Sequence, residues 1–299
     1  MKKFLAMGLA VMMMAVTLCG CGGSDNGTGT NNSGSGSGSA AQGSQAVKVI
    51  GVDLTKEDYA FGVDKDQPEL LKAANEFIKE IKDNGKFEVI CNKYFGDGEP
   101  TPVKSAKLDS SKDQLLVATN ASFEPYEYMK GNDYLGIDME VAAAFAEKLG
   151  KELVIQNMEF DAVCLSVGQH KSDIAMAGLT IKEDRKKYVT FTDPYYNASQ
   201  RIIVKGDSTE FDSCKDAESI EKILKTKDKS VTIGVQNGTT GQFYCEGDEK
   251  MEFEGFNVTT TGYKNGSLAV QDLINGNIDY VVIDSAPAKC ITDAINKIQ

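Results

Sequence analysis

The residues best equipped for chemistry lie in Ala175-Met-Ala-Gly-Leu-Thr-Ile-Lys-Glu-Asp-Arg185, followed shortly by Phe191-Thr-Asp-Pro-Tyr-Tyr196. Residues 174–177 read as a short apolar strand. Beyond them Gly178 permits close backbone approach, Thr180 offers a hydroxyl, and Arg185 carries a planar cationic fork. Such a fork grips a carboxylate through two charge-assisted hydrogen bonds, each contributing about 1.5–3 kcal/mol in a dry site. Taken alone, Arg185 would read better as a surface residue of the run Lys182-Glu-Asp-Arg-Lys-Lys187. Two further stretches have the same ambiguity. Gly234-Val-Gln-Asn-Gly-Thr-Thr-Gly241 stands at a strand end before a helix, where free N–H groups favour an anion, but it also suits a plain β-to-α connection. Asp284, at the end of Tyr280-Val-Val-Ile-Asp284, could equally cap the next helix.

The chain that must position these groups has 299 residues and a net charge of −12. Its length suits one large or two medium domains, and its apolar and charged fractions are ordinary for a globular protein. Nucleic-acid binding is disfavoured, because no basic stripe is available to neutralise phosphates. Residues 1–20 have the layout of a secretory signal: Lys2 and Lys3, then an apolar run over 4–18, too short for a membrane span. Leu18-Cys-Gly-Cys21 resembles a lipoprotein signal box, with Cys21 the lipidated residue and residues 21–46 a flexible Gly/Ser/Asn tether. A plain secreted protein with incidental cysteines is the alternative. Cys91, Cys164, Cys214, Cys245 and Cys290 have no metal-binding spacing, so no metal or cofactor is expected, and a disulfide within the last three stays open. His170, in a polar loop, reads as a solvated side chain.

Residues 47–52 and 60–63 read as strands, residues from Pro68 to 81 as an amphipathic helix ended by Gly85, and residues 87–95 as a second amphipathic segment. Residues 96–113, with Pro100 and Pro102, break the pattern. From Gln114 strands and helices alternate: strands at 114–118, 152–156, 173–177, 200–204, 231–235, 256–260 and 279–283, helices at 138–149, from 161, near 219–224, at 267–275 and at 286–298. The alternation predicts an α/β protein of two lobes, each a parallel sheet covered on both faces, with the ligand in the cleft between them.

In combination these motifs resemble the extracellular solute-binding proteins of polar amino-acid ABC importers, bacterial solute-binding family 3. The resemblance covers nearly all of residues 47–299 and implies a type II periplasmic-binding-protein-like fold. It departs from the family in order. Tyr59-Ala-Phe-Gly-Val-Asp-Lys65, Pro68-Glu-Leu-Leu-Lys-Ala-Ala-Asn75 and Asn92-Lys-Tyr-Phe-Gly96 look like the family's C-terminal return segment, yet they come first. A circular permutation is therefore expected. In it residues 47–56 form a strand of lobe 2, 57–96 return to lobe 1, 97–113 join the old termini, 114–198 complete lobe 1, 199–205 form a hinge strand and 206–299 lobe 2. The rival is a remnant of a lost tandem copy.

Transferred by motif, the resemblance implies that Arg185 pairs with a ligand α-carboxylate, helped by Thr180, by the backbone of Ala177 and Gly178, and from lobe 2 by Thr240. Asp284 would accept the α-ammonium, and Phe123 and Phe160 would wall the ligand. Thr119, Asn120 and Gln236 would face its side chain. Relatives often carry an acid where Asn120 stands, so a neutral polar ligand is favoured. Hinges near 57–60 and 199–204 would close the lobes. The implied protein is a lipid-anchored, extracytoplasmic, monomeric receptor that binds a polar amino acid, docks on a membrane permease and performs no reaction. An enzyme of dehydratase type on the same scaffold is a second reading, although Glu124 and Glu127 read as solvent-facing or as braces of a turn. A sensing domain for a separate signalling partner is a third.

Overall fold

The computed structural model describes residues 45–298. The signal segment, the anchor candidate Cys21 and nearly all of the tether lie outside the described residues. The first elements are β1 (Val47–Val49), β2 (Glu57–Tyr59), β3 (Gly62–Asp64), α1 (Pro68–Asp83) and α2 (Lys86–Phe95). Then come β4 (Gln114–Thr119), β5 (Ser122–Phe123), β6 (Glu127–Lys130), β7 (Asp133–Leu135), α3 (Ile137–Leu149), β8 (Glu152–Asn157), α4 (Phe160–Gly168), β9 (Ile174–Ala175), β10 (Val189–Phe191) and β11 (Tyr196–Ala198). The last are β12 (Gln200–Lys205), α5 (Ala217–Leu224), β13 (Thr232–Gln236), α6 (Thr240–Glu246), β14 (Thr259–Tyr263), α7 (Gly266–Asn275), β15 (Tyr280–Asp284) and α8 (Ser285–Ile298).

Two five-stranded sheets form the two lobes. The first runs β10-β3-β9-β4-β8 and the second β1-β12-β15-β13-β14. Each has a parallel centre, with β4 beside β8 and β9 in one and β13 beside β14 and β15 in the other. Both sheets are mixed, whereas the alternation of elements predicts all-parallel ones. The strands that enter from the crossings, β3 and β10 in lobe 1, β1 and β12 in lobe 2, pair antiparallel. A chain that crosses between lobes and comes straight back has no crossover helix on that edge, which is what parallel pairing requires.

Local sequence explains most elements. Pro68 opens α1 at a position where the missing N–H costs nothing, and Ala74, Phe77, Ile78 and Ile81 form its buried stripe. Asp216 and Ser219 make a reciprocal capping box at the start of α5, while Gly150 and Gly276 end α3 and α7 in the left-handed region. Leu115, Val117, Phe145 and Ile155 are buried in lobe 1, and Ile202, Phe211, Ile233 and Val282 in lobe 2.

Some boundaries differ from those the sequence predicts. The strand expected at 60–63 begins only at Gly62, as β3, since Ala60 donates to the Leu179 carbonyl and Phe61 to the Thr192 hydroxyl; β2, over 57–59, lies before it in a stretch that reads as polar. The strand expected at 256–260 lies three residues later, because the Phe256 N–H is taken by the Cys245 carbonyl after α6. The strand expected at 173–177 keeps ladder pairing only over β9. Two features have no counterpart in the sequence reading. One is the small sheet β5-β6-β7. The other is the pairing of β2 with β11, in which the two crossing segments lie side by side over 57–59 and 196–198. The five described cysteines are free thiols. The His170 side chain is exposed, as the polar loop suggests, and its Nδ1 lies 2.8 Å from Oδ2 of the buried Asp64. No helix among the described residues is long and apolar enough to cross a membrane.

Candidate functional site

The cleft lies where β4, β13 and β15 end. Asn120 follows β4, Gln236 closes β13 and Asp284 closes β15, so the residues that leave the parallel strands at their carboxyl ends converge there. Arg185 stands in the connection from β9 to β10. Its two terminal nitrogens donate to the Thr180 carbonyl on lobe 1 (2.7 Å) and to the Gly238 carbonyl on lobe 2 (3.0 Å). Its guanidinium carbon stacks 5.1 Å from the centre of the Phe160 ring, a cation–π contact that fixes the plane of the fork. Thr240 Oγ1 lies 3.2 Å from Thr180 Oγ1, and Gln236 Nε2 donates to Asn120 Oδ1 at 3.1 Å. Arg185, Thr180, Phe160, Asn120, Gln236 and Thr240 are thus brought together from both lobes.

Gly178 has φ 53°, in the left-handed region, and a Cβ there would meet Phe123 Cε1 at 3.0 Å and Tyr59 Cε2 at 3.3 Å. Only glycine suits that corner. Its N–H donates to Asp138 Oδ2 (2.9 Å), and Asp138 Oδ1 accepts from the Tyr195 hydroxyl (2.7 Å). Asp138 therefore holds the turn that follows the buried Ala177, with the Phe123 ring against it.

Asp284 accepts a hydrogen bond from the Tyr59 hydroxyl. Burial and then the neighbouring Glu57 charge raise its carboxyl to about 7, so a cationic partner is what would favour its ionised form. Burial likewise lifts Asp138 to about 7. Sequence reasoning misses Glu57 as a site residue, yet Glu57 joins the crossings to the cleft. Its Oε2 accepts from Thr180 Oγ1 (2.6 Å), and its Oε1 accepts from Thr55 Oγ1 (2.6 Å) and Gln200 Nε2 (2.9 Å). Tyr59 is missed too; it is packed against Tyr126, Tyr195 and Tyr196. The only signal for either is a place in the expected hinge, and hinge position does not reveal which neighbours a side chain meets.

Glu124 is exposed, as its neighbourhood suggests, but Glu127 is not. Glu127 is fully buried at the start of β6, with neither carboxylate oxygen hydrogen-bonded among the described residues. Burial first, then the charges of Asp138 and Asp284, push its carboxyl well above the usual range, which favours the neutral acid over a buried unpaired charge. A polar neighbourhood conceals this, because alternation along so short a hairpin arm cannot be read.

Lys182 belongs to the connection that carries Arg185, and it too reaches the opposite lobe. Its side chain is 4% exposed, and its Nζ lies 2.7 Å from Asp248 Oδ2 and 4.2 Å from the centre of the Phe243 ring. Lys250 pairs with Asp184, and Lys264 lies 3.2 Å from Glu159, so three lysines join the lobes around the rim.

Residues 115–287 match the family model of bacterial extracellular solute-binding proteins, family 3. The arginine-binding extracellular protein ArtP of Bacillus subtilis (strain 168) is 32% identical over 181 residues, which cover 60% of this chain and 65% of ArtP. The chain thus spans somewhat less than two thirds of that relative. The solved structure of an ancestral arginine-binding protein bound to arginine is 33% identical, with a TM-score of 0.52, covering 61% of this chain and 75% of that one. The ancestral amino acid-binding protein AncCDT-1, a precursor of cyclohexadienyl dehydratase, is 29% identical with a TM-score of 0.52, over 61% of this chain and 75% of that one. With more than half of its residues matched by the family model, this two-lobed α/β chain belongs to the bacterial extracellular solute-binding proteins, family 3.

Proposed function

We propose that this chain captures a polar amino acid between its lobes and presents it to an ABC permease, without chemical turnover. The observation that carries the reading is the position of Arg185, whose fork lies between the Thr180 carbonyl of one lobe and the Gly238 carbonyl of the other. A ligand carboxylate taken up there exchanges those carbonyls for a charge-assisted pair. Thr180 and Thr240 flank it, and Asp284 receives the α-ammonium. Phe123 and Phe160 wall the ligand, the backbone of Ala177 and Gly178 lines its base, and Thr119, Asn120 and Gln236 face its side chain. Closure turns on the paired crossings β2 and β11, and a ligand bridging both lobes stabilises the closed form. Relatives named for arginine binding support an amino-acid ligand. We further propose a monomer, anchored by lipid at Cys21 on the extracytoplasmic face.

The test is a thermal-shift screen of the full chain against the twenty common amino acids. At a thousandfold excess over the dissociation constant the native state gains about 4 kcal/mol, which raises the melting point visibly. A shift with a few polar amino acids is expected. Silence from a cooperatively melting sample would remove the reading, and consumption of any ligand would replace it with an enzyme.

We also infer a circularly permuted order. Residues 47–64 supply β1 to one sheet and β3 to the other, and α1 and α2 pack on lobe 1. The end of α8 lies against β1, where Asn296 Oδ1 accepts from the Ala46 N–H (3.1 Å) and its Nδ2 donates to the Val47 carbonyl (2.9 Å). A rearranged gene that places residues 45–96 after residue 299 should fold and bind like the parent. Failure of that protein to fold would count against the inference.

A further inference from the structure

One wall of the cleft is built from carboxamides. Asn120 comes from lobe 1 and Gln236 from lobe 2, and the orientation of Asn120 is set by its neighbours. Its Nδ2 donates to the Met158 carbonyl at 2.7 Å, and its Oδ1 accepts from Ser122 Oγ at 2.9 Å and from Gln236 Nε2 at 3.1 Å. Gln236 is 1% exposed, yet among the described residues its Oε1 has no hydrogen-bond partner, and neither has Oγ1 of the fully buried Thr119 beside Asn120. Buried acceptors are seldom left without a donor.

We infer that Asn120 and Gln236 select an amino acid with an uncharged carboxamide side chain, of the glutamine class, over a cationic one. This rests on the amino-acid reading above. A carboxamide donates to Gln236 Oε1 and accepts from Gln236 Nε2, so it satisfies both ends of the group. An ammonium or guanidinium only donates, and none of the groups bonded to Asn120 or Gln236 is a carboxylate. A cation buried there lacks a counter-charge. Glu159, which lines the same mouth as Asn120, is already paired with Lys264.

The experiment is calorimetric titration of the full chain with glutamine and with arginine, for the parent and for Gln236→Leu and Asn120→Asp. The parent should bind glutamine about tenfold or more tighter than arginine. Gln236→Leu should weaken glutamine about tenfold while changing arginine little, and Asn120→Asp should move the ratio towards arginine by a similar factor. Arginine bound as tightly as glutamine by the parent, or Gln236→Leu weakening both alike, overturns the inference while leaving amino-acid binding intact. Absence of binding for every amino acid, in a sample that melts cooperatively, overturns both.

Discussion

Inside the cleft the lobes meet through Arg185 and Gly238, Thr180 and Thr240, and Asn120 and Gln236, contacts in which only the arginine is charged. At the rim they meet through Lys182 and Asp248, Lys250 and Asp184, and Lys264 and Glu159, all ion pairs. Neutral hydrogen bonds contribute only about 0.5–1.5 kcal/mol each, so a ligand can exchange them for its own. The rim pairs involve none of the groups proposed to touch a ligand, so no ligand atom competes for them. Under the proposed function, the centre would serve recognition and the edge closure.

Arg185→Ala tests the centre most severely. Amino-acid binding should fall by about a hundredfold or more while the melting transition stays cooperative, and affinity within about tenfold of the parent would refute the carboxylate role. Lys182→Met tests the rim. Removing one partner of a largely buried pair leaves Asp248 without that cation and takes the ammonium from the Phe243 ring, and a loss of about 2–3 kcal/mol is expected in denaturant unfolding. An unchanged midpoint would show that the pair does not hold the lobes.

A pH series tests the centre through its buried carboxyls. Asp284 is raised to about 7, so below that pH it holds a proton that must leave before it can pair with an ammonium. Affinity should therefore fall about tenfold between about pH 8 and pH 6, with proton release on binding near neutrality. Stability runs the other way. Between the ordinary carboxylate range and about 7 the folded protein binds protons at Asp284 and Asp138 that the unfolded chain does not, so stability declines as pH rises through that window. A flat affinity profile would remove Asp284 from the ammonium role. The smallest effect belongs to Lys264→Ala. Its side chain is 72% exposed, and stability should change by about 0.2–1 kcal/mol, less at high salt.

Much of the scaffold is legible in the chain. The apolar stripe of α1, the alternation from Gln114 onwards and the strand-end positions of Asn120, Gln236 and Asp284 follow from periods of 3.6 and 2 and from turn residues, which are local properties. Glu57, Tyr59, Asp138 and Glu127 are not legible as parts of one site. Each lies in an ordinary polar or aromatic neighbourhood, and its burial depends on strands distant in the chain.

The amino-acid sequence by itself determined the order of elements, the glycine at 178 and the family motifs, because propensity, capping and left-handed backbone are decided by near neighbours. Only the tertiary structure decided that Lys182 reaches Asp248, that Gln236 meets Asn120 and that the sheet edges run antiparallel. Those pairings span two lobes or distant strands, and no local signal encodes which lobe-1 side chain a lobe-2 strand end will face once the crossings bring them together.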